Sequence, residues 1–126
     1  MRQAVVCYIR NIDQILLALI EYAPGDRKWT GIGGYVEPGE SLEDAVVREA
    51  REETYIEIDK TSLQEVADLK GTDHMHFFFA TRWSGEIKAR EESLKDFKWF
   101  PVSELPYDQM HPGTEAWIKE ALRKFA

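Results

Sequence analysis

The chain has 126 residues, 44% of them hydrophobic and 12% aromatic, and it carries 16 Lys and Arg against 23 Asp and Glu, a net charge of −7. This length predicts a single domain over residues 1–126, and the apolar content can form a buried core, which excludes a largely disordered chain. The acidic balance excludes a nucleic-acid polymer as partner, because binding a long phosphate backbone needs a basic surface. A small molecule is the expected partner.

The cysteine content and the apolar runs indicate where the protein works. Cys7 is the only cysteine, so it cannot form an internal disulfide, and we interpret it as a small buried strand residue. The longest apolar runs, at 15–20 and 77–80, are too short to cross a membrane, and the first ten residues lack the pattern of a signal peptide. We predict a cytoplasmic protein with no membrane partner, as a monomer or a homodimer.

The first half of the chain predicts strands followed by one long helix. Its elements, from periodicity and turn residues, are a hairpin of strands at 4–9 and 15–20, a loop at 21–28, a short strand at 29–32 and a helix at 41–53. Ser41 is followed three residues later by Asp44, a variant of the capping box that marks a helix start. Leu42, Ala45 and Val46 then form the apolar face of this helix.

The second half predicts more strands and a closing helix. Its elements are strands at 62–70 and 74–83, a short strand at 97–101 and an amphipathic helix at 114–125. His74 and His76 alternate on one strand face, and we assign them an ordinary strand or pocket-lining role because no third metal ligand accompanies them. Trp117 is assigned to the core. Strands followed by helices in this order predict an α+β fold, a mixed β-sheet with helices packed on it.

The end of the first helix carries an unusual group of acids. Glu49, Glu52 and Glu53 stand at i, i+3 and i+4, so three like charges share one face near a helix C-terminus, where the dipole disfavours them. A solvated charged face is one interpretation. The other is a site for a hard cation such as Mg²⁺, which binds several carboxylate and carbonyl oxygens. The preceding Gly33-Gly34 pair favours the second interpretation, because glycine lets the backbone approach a ligand closely.

The segment from 34 to 56 resembles the Nudix box. It reads GYVEPGESLEDAVVREAREETYI, against a pattern of Gly, five residues, Glu, seven residues, then Arg-Glu-aliphatic-X-Glu-Glu-X-Gly-aliphatic. The positions that match the pattern are Gly34, Glu40, Arg48, Glu49, Glu52 and Glu53. Two positions depart from it: Ala50 stands where a larger aliphatic residue is usual, and Tyr55 replaces the closing Gly. A left-handed helix terminator is expected at that last position, so a Tyr there is either strained or the helix ends differently.

The resemblance implies an α/β/α sandwich of the Nudix type and a hydrolase of diphosphate linkages that uses Mg²⁺, with Mn²⁺ as a substitute. It implies a metal shell of Glu49, Glu52, Glu53 and the Gly33 carbonyl, with Glu40 and Arg48 orienting or neutralising the acids. The general base is expected to be Glu53 or Glu49, and the sequence leaves both open. A further acid before the 97–101 strand is also implied; of the candidates Glu91, Glu92 and Asp96, we favour Glu92.

Two further stretches, KWTGIGGYVEPGE and WFPVSELPYDQMHP, are similar to the MutT-type branch, which removes pyrophosphate from oxidised purine nucleoside triphosphates. The resemblance implies nucleotide contacts from Thr30, Gly34, Met110 and His111. The two adjacent acids that read the base in that branch are replaced here by Gly113 and Thr114. Arg27 and Lys28 are candidate phosphate contacts or plain surface cations.

The leading hypothesis is a Mg²⁺-dependent diphosphatase that converts a nucleoside triphosphate, oxidised or not, into the monophosphate and pyrophosphate. The alternatives are a hydrolase of another nucleotide, such as ADP-ribose or a dinucleoside polyphosphate, and a Nudix-fold module that binds a nucleotide without turnover. An interaction protein with a merely acidic helix leaves the spacing of Gly34, Glu40 and Arg48 unexplained. Residues 37 to 53 hold seven acids and two cations, a net charge of −5, so most of the acidity is local.

Overall fold

In the computed structural model, which describes residues 1–89 and 92–125, a β-sheet lies between helices α1 (Leu42–Thr54) and α2 (Thr114–Lys124). The strands are β1 (Gln3–Arg10), β2 (Gln14–Ala23), β3 (Asp26–Thr30), β4 (Ile32–Tyr35), β5 (Glu57–Ile58), β6 (Gln64–Lys70), β7 (His74–Ala80), β8 (Trp83–Ser84) and β9 (Leu94–Pro101). Short 3-10 turns lie at Lys60–Ser62, Val102–Glu104 and Tyr107–Gln109. No helix in these described ranges is long and apolar enough to span a membrane.

The sheet is mixed, as predicted. Its main path runs β3-β2-β1-β7-β6, with β4 also paired to β1 and β9 also paired to β2. The β1 and β7 strands are parallel, whereas the other pairs of this sheet are antiparallel. Strands β5 and β8 form a separate two-stranded sheet. The predicted fold class, a mixed sheet flanked by two helices in an α/β/α sandwich, is confirmed.

One edge of β1 is shared by two partners, and this sharing opens the sheet. Ile9 and Arg10 pair with β2, whereas Ala4 to Cys7 pair with β4. The chain passes from β3 to β4 at Gly31, where a Cβ atom would lie 2.5 Å from the Cys7 carbonyl oxygen. A side chain at this position would clash with fixed backbone, so glycine is required where the two strands diverge.

Each helix covers one face of the sheet and closes a separate core. On one side, Ala45, Val46 and Ala50 of α1 pack with buried β1 residues, including Cys7. On the other side, Ile118 and Ala121 of α2 pack against the opposite face. Cys7 is 1% exposed, and burial raises the pKa of its thiol, so the predicted structural role of this residue is confirmed.

The ends of α1 follow the local sequence. The Ser41 hydroxyl accepts a hydrogen bond from the Asp44 backbone N–H (3.0 Å), which caps the first turn. At the other end, Tyr55 adopts a left-handed conformation with φ of 66°, and its N–H donates to the Arg51 carbonyl (3.1 Å). Of the two possibilities predicted for this position, the strained one is found: a Tyr occupies the conformation that glycine adopts at lowest cost.

The prediction of a loop at 21–28 was wrong. Strand β2 continues to Ala23 and β3 begins at Asp26, which leaves only Pro24 and Gly25 as the turn. Gly25 has φ of +81°, and this positive φ allows so tight a reversal. Arg27 and Lys28 therefore lie on a strand, and the single strand predicted at 29–32 is in fact divided between β3 and β4.

Candidate active site

The acids of α1 and of the segment before it are gathered around one guanidinium group. Arg48 donates to both carboxylate oxygens of Glu40, from Nε (2.8 Å) and from Nη2 (3.0 Å). Its Nη1 donates to Glu49 Oε1 (2.9 Å) and to Glu52 Oε2 (3.3 Å). Nη2 also donates to the Tyr35 carbonyl (2.9 Å), which ties the group to the end of β4. One cation thus lies among three of the acids that the sequence singled out.

The pKa values of Glu40 and Arg48 are shifted in the directions expected for an ion pair. The hydrogen bond from Arg48 is the main reason that the pKa of Glu40 lies below its ordinary value. The same contact, followed by that with Glu49, raises the pKa of Arg48. A bidentate pair between a guanidinium and a carboxylate is among the stronger charged hydrogen bonds in proteins. Glu40 is therefore ionised at neutral pH and fixes the guanidinium, which in turn orients Glu49.

The Glu49 carboxylate is seated against the backbone of β4. A Cβ atom added to Gly34 would lie 2.4 Å from Glu49 Oε1, so the absent side chain is the space that the carboxylate occupies. Gly33 is tighter still, since a Cβ there would lie 1.9 Å from the Val5 carbonyl oxygen. The Gly-Gly pair thus allows β4 to pair with β1 and a carboxylate of α1 to approach β4.

Beside this acid group lies a cleft of about 720 Å³. Gly33, Gly34 and Glu53 line it, and Glu53 is only 9% exposed. The cleft continues over the α2 side of the sheet, where its aromatic wall is formed by Tyr8, Phe77 and Trp117. The Trp117 ring packs on Phe77 (ring centroids 4.2 Å apart) and meets Tyr8 edge-on (5.5 Å). A flat aromatic ligand fits such a wall, while the acid group borders its other end.

A hydrogen-bonded aromatic pair stands in the lining of the same cleft. The Tyr22 hydroxyl lies 2.9 Å from His111 Nε2, and the two rings are edge-on with centroids 5.2 Å apart. This contact joins the end of β2 to the loop before α2. Burial lowers the pKa of His111, and the nearby Lys28 lowers it further, so the imidazole is neutral at neutral pH.

The structure places three of the six predicted substrate contacts, Arg27, Lys28 and Met110, away from the cleft lining. Arg27 Nε donates to Glu21 (2.8 Å) and Lys28 Nζ donates to Asp26 (2.6 Å), so both cations are paired within their own hairpin. Met110 is buried in the core on the α2 side. In contrast, the other three predicted contacts, Thr30, Gly34 and His111, line the cleft.

The predicted further acid, Glu92, is exposed in the turn that precedes β9, next to the cleft-lining Ser93. The alternative Glu91 lies outside the described residues. Glu21 is an acid at the cleft that the sequence reasoning missed, because its segment was assigned to a loop. Tyr22 was missed for the same reason, although continuing the alternation of the second strand by two residues reaches it.

The two strand histidines are engaged with their neighbours. His76 Nδ1 lies 2.7 Å from Glu65 and its Nε2 lies 2.6 Å from Gln3, while His74 Nε2 lies 2.8 Å from Asp68. Within 1–89 and 92–125, no three His, Cys, Asp or Glu side chains are arranged to hold a metal ion. At the acid group, this reflects the position of Arg48 between Glu49 and Glu52.

The donor chemistry of the acid group nevertheless suits a hard cation. Its side chains offer carboxylate oxygens at i, i+3 and i+4 of one helix, which are the ligands that Mg²⁺ and Mn²⁺ prefer. Glu49 is already seated at Gly34, and Glu52 is half exposed and can turn from Arg48. The residues present therefore fit a divalent metal.

Comparison with known proteins identifies the family. The family model described as the NUDIX domain matches residues 1–124. An oxidized purine nucleoside triphosphate hydrolase of Danio rerio is 30% identical over 118 residues, which cover 88% of this chain and 73% of that protein. The NAD-capped RNA hydrolase NudC of Stutzerimonas stutzeri is 35% identical over 108 residues, which cover 82% of this chain but only 37% of that protein.

Solved structures show the same fold. The Escherichia coli ORF135 protein has a TM-score of 0.79 at 28% identity and covers 98% of this chain and 91% of its own. A MutT NUDIX hydrolase from Burkholderia pseudomallei has a TM-score of 0.77 at 28% identity, and the match covers 99% of this chain and 98% of that protein. The family model and these relatives identify the class of protein as a Nudix pyrophosphohydrolase. The chain belongs to the Nudix family, in its MutT-like branch, whose hydrolases generally use divalent cations and act on small nucleotide substrates.

Proposed function

We propose that this protein is a Mg²⁺-dependent diphosphatase that converts a nucleoside triphosphate, oxidised or not, into the nucleoside monophosphate and pyrophosphate. The observation that carries this proposal is the junction between the Arg48-centred acid group and the aromatic cleft at Gly33, Gly34 and Glu53. One end of the junction suits metal-bound phosphates and the other suits a base. The relative from Danio rerio, named for hydrolysis of oxidized purine nucleoside triphosphates, supports the same substrate class.

In this proposal, Glu49, Glu52 and Glu53 hold the divalent cation together with the Gly33 carbonyl, and Glu92 is a further candidate acid. When bound, such a cation neutralises phosphate charge and makes water a better nucleophile at neutral pH. Glu40 keeps Arg48 in place, and Arg48 in turn orients Glu49.

Glu53 is the stronger candidate for general base. Its carboxylate is buried and faces the cleft, whereas Glu49 is in contact with Arg48. Proton transfer from the attacking water is therefore assigned to Glu53, the acid of this group that lines the cleft.

A dinucleotide substrate is the second candidate. The NudC relative is named for NAD-capped RNA, which contains a diphosphate between two nucleosides, but this chain spans only 37% of that protein. The rings of Tyr8, Phe77 and Trp117 pack together in one part of the cleft lining, and a cluster of this size fits one base better than two. Turnover is favoured over binding alone because the relatives compared above are named as hydrolases.

The test is a substrate panel with a matched pair of variants. The protein is incubated with Mg²⁺ and dGTP, 8-oxo-dGTP or dATP, and phosphate is measured with and without added inorganic pyrophosphatase. With ADP-ribose, NAD or a dinucleoside polyphosphate, phosphate is measured after addition of alkaline phosphatase, because cleavage of these substrates exposes terminal phosphate groups. We expect phosphate from the triphosphates only when pyrophosphatase is present. Phosphate released without it would indicate cleavage at the terminal phosphate and contradict the proposal, and turnover of ADP-ribose or NAD alone would favour the second candidate.

Two variants in α1 test where on the protein the reaction occurs. Glu53→Gln should lower kcat by two or more orders of magnitude, the range expected for losing a base or a metal ligand. Glu43→Gln, on the same helix and outside both the cleft and the acid group, is the control and should retain the wild-type rate. Near-normal turnover by the Glu53 variant would show that the reaction occurs elsewhere.

A further inference from the structure

The cations that the sequence predicted for phosphate contact are engaged in other ion pairs. Arg27 pairs with Glu21 (2.8 Å) and Lys28 pairs with Asp26 (2.6 Å). Arg48 is surrounded by the acids of α1 and of the segment before it. Enzymes that act on phosphate groups hold them with Arg or Lys as well as with metal ions. A cation that is not already paired with a carboxylate would be better suited to this task.

Tyr35 forms a fixed aromatic platform in the lining of the cleft. Its carbonyl accepts a hydrogen bond from Arg48 Nη2 (2.9 Å), and its hydroxyl donates to Asp73 Oδ2 (2.9 Å). Both the backbone and the far edge of the ring are therefore held. The hydrogen bond to Asp73 is the main reason that the pKa of the Tyr35 phenol is raised, so the phenol is neutral at neutral pH. The residue is 42% exposed, which leaves a face of the ring open to a partner.

The guanidinium of Arg2 stacks on this ring. Its Cζ atom lies 3.3 Å from the Tyr35 ring centroid, within the range of a cation–π contact. Arg2 is two residues before Ala4, which lines the cleft, so alternation along the strand directs both side chains to the cleft side of the sheet. In the part of the chain that the structure describes, Arg2 belongs to none of the ion pairs. Stacking uses the face of a guanidinium, and its N–H donors, which lie in the plane of the group, are left for an anion.

The strand register sets the order of these groups along the cleft. Tyr8, Val6 and Ala4 alternate along β1, where Val6 pairs with Gly33 and Ala4 pairs with Tyr35. Tyr8 belongs to the aromatic wall, and Gly33 lies where the cleft meets the acid group. Tyr35 is therefore on the side of Gly33 away from the aromatic wall, two strand residues or about 7 Å further on. A nucleotide with its base at the wall and its first phosphate at the acid group extends its terminal phosphates toward Tyr35 and the cation stacked on it.

We infer that Arg2 is a substrate-binding residue that holds the terminal phosphate of a nucleoside triphosphate, and that Tyr35 positions its guanidinium by stacking. The inference rests on the proposed function in taking a triphosphate as the ligand. It deepens that function, because it assigns the residue that favours triphosphates over nucleotides with a shorter phosphate chain. Arginine suits this role because its planar fork can donate two hydrogen bonds to one phosphate while its face stays on the ring.

The first test measures binding without turnover. Calorimetric titrations in Mg²⁺ use the α,β-imido analogues of dGTP and dATP, which resist cleavage between the first two phosphates, and the monophosphates dGMP and dAMP. Arg2→Gln should weaken the triphosphate analogues by about 5- to 20-fold, as for a charged hydrogen bond at an exposed site, and should change the monophosphates by less than about twofold. The loss should shrink at high salt, because salt screens exposed charges. Arg82→Gln, which removes an exposed cation outside the cleft lining, is the control for net charge and should leave all four affinities unchanged.

Three outcomes of these titrations would overturn the inference. The first is a wild-type protein that binds the triphosphate analogues no more tightly than the monophosphates. The second is an Arg2→Gln variant that retains wild-type affinity for the analogues. The third is an Arg2→Gln variant that weakens monophosphates and analogues equally, because such a loss would not come from the terminal phosphate.

Further variants test the stacking and the shape of the cation. Tyr35→Leu removes the ring and should weaken the analogues by about 2- to 5-fold, the range expected for an exposed cation–π contact. Tyr35→Phe keeps the ring and should weaken them less. Arg2→Lys keeps the charge without the planar fork, so it should recover only part of the affinity lost in Arg2→Gln. Equal losses in the two Tyr35 variants would show that the ring does not position Arg2.

Steady-state kinetics separate this inference from the proposed function. Arg2→Gln should raise KM for the triphosphates while kcat changes by less than about threefold, because the contact is made in the ground state and the transition state alike. Analogue binding that depends on Arg2, without turnover of any nucleotide by the wild-type protein, would refute only the proposed function. Normal triphosphate turnover with affinity that does not depend on Arg2 would refute only the inference.

Discussion

Replacing Gly34 by alanine separates the chemistry of the acid group from the stability of the fold. The new Cβ would lie 2.4 Å from Glu49 Oε1, and the three nearest atoms all belong to the Glu49 carboxylate. That carboxylate is the far end of a flexible side chain, so it can move away at small cost. The substitution should therefore displace a proposed metal ligand while leaving the backbone in place.

The expected changes in stability and activity follow from the movement of the Glu49 side chain. The Glu49 carboxylate moves away from Gly34, which weakens its 2.9 Å hydrogen bond with Arg48. Against this loss, alanine in a strand costs slightly less conformational entropy on folding than glycine does. We expect Gly34→Ala to change the free energy of unfolding by less than about 1 kcal/mol. Activity should fall about 10- to 100-fold, since small misplacements of reacting groups have effects of this size.

Gly33→Ala is the matched comparison. Its Cβ would lie 1.9 Å from the Val5 carbonyl oxygen, which is backbone in the β1–β4 pairing and cannot turn away. The expected cost is about 2 to 3 kcal/mol, in the upper part of the range for overpacking. In a domain of this size, that cost lowers the melting temperature by about 6 to 12 °C.

Thermal unfolding by circular dichroism and kcat/KM with the best nucleotide of the panel are measured for both variants. The expected pattern is a stable but slow Gly34 variant and an unstable Gly33 variant. If Gly34→Ala keeps the wild-type kcat/KM, the position of the Glu49 carboxylate is unimportant for the reaction. If it unfolds as readily as Gly33→Ala, the glycine is needed for the sheet rather than for the site.

Three further outcomes are expected. Tyr55→Gly should raise the free energy of unfolding in urea by about 1 kcal/mol by relieving the left-handed conformation, and destabilisation would show that the ring packs usefully. Glu40→Gln should lower it by about 1 to 2 kcal/mol at pH 7. Arg48 lowers the pKa of Glu40 in the folded state, so this stabilisation is complete above the ordinary pKa of a glutamate and is lost as the pH falls through the folded-state value. The difference in unfolding free energy between Glu40→Gln and wild type should therefore shrink toward pH 3. A difference that does not depend on pH would contradict this origin. EDTA should abolish turnover, and Mg²⁺ should restore it, without a change in secondary structure; turnover that survives EDTA would contradict metal dependence.

The acid helix was predictable because its information is local. Ser41 and Asp44 mark its start, the apolar positions set its inner face, and the acids fall at helical spacing after it. At Tyr55 the sequence left two possibilities, a strained left-handed residue or a different helix end, and the structure has the first. Short-range rules of capping and periodicity suffice for such a segment, and they do not depend on the rest of the chain.

The cleft was not predictable in the same way. It arises because β1 shares one edge between β2 and β4, a pairing of residues far apart in sequence, and because the His111 loop meets the end of β2 at Tyr22. Turn residues at Pro24 and Gly25 suggested a long loop, whereas cross-strand pairing of Glu21 with Arg27 extends both strands. Propensity describes a segment alone, and tertiary pairing overrides it.

The clustering of acids that first marked the helix as unusual is explained by one residue. Glu49 and Glu52 would repel each other near the negative end of the helix dipole, but Arg48 contacts both of them and is itself held by Glu40. An arginine keeps its charge at physiological pH, so Arg48 offsets the repulsion between these two carboxylates without a bound cation. In the proposed site, Arg48 therefore keeps anionic ligands available for a cation without requiring that cation for folding, and this is why the fold is expected to survive EDTA.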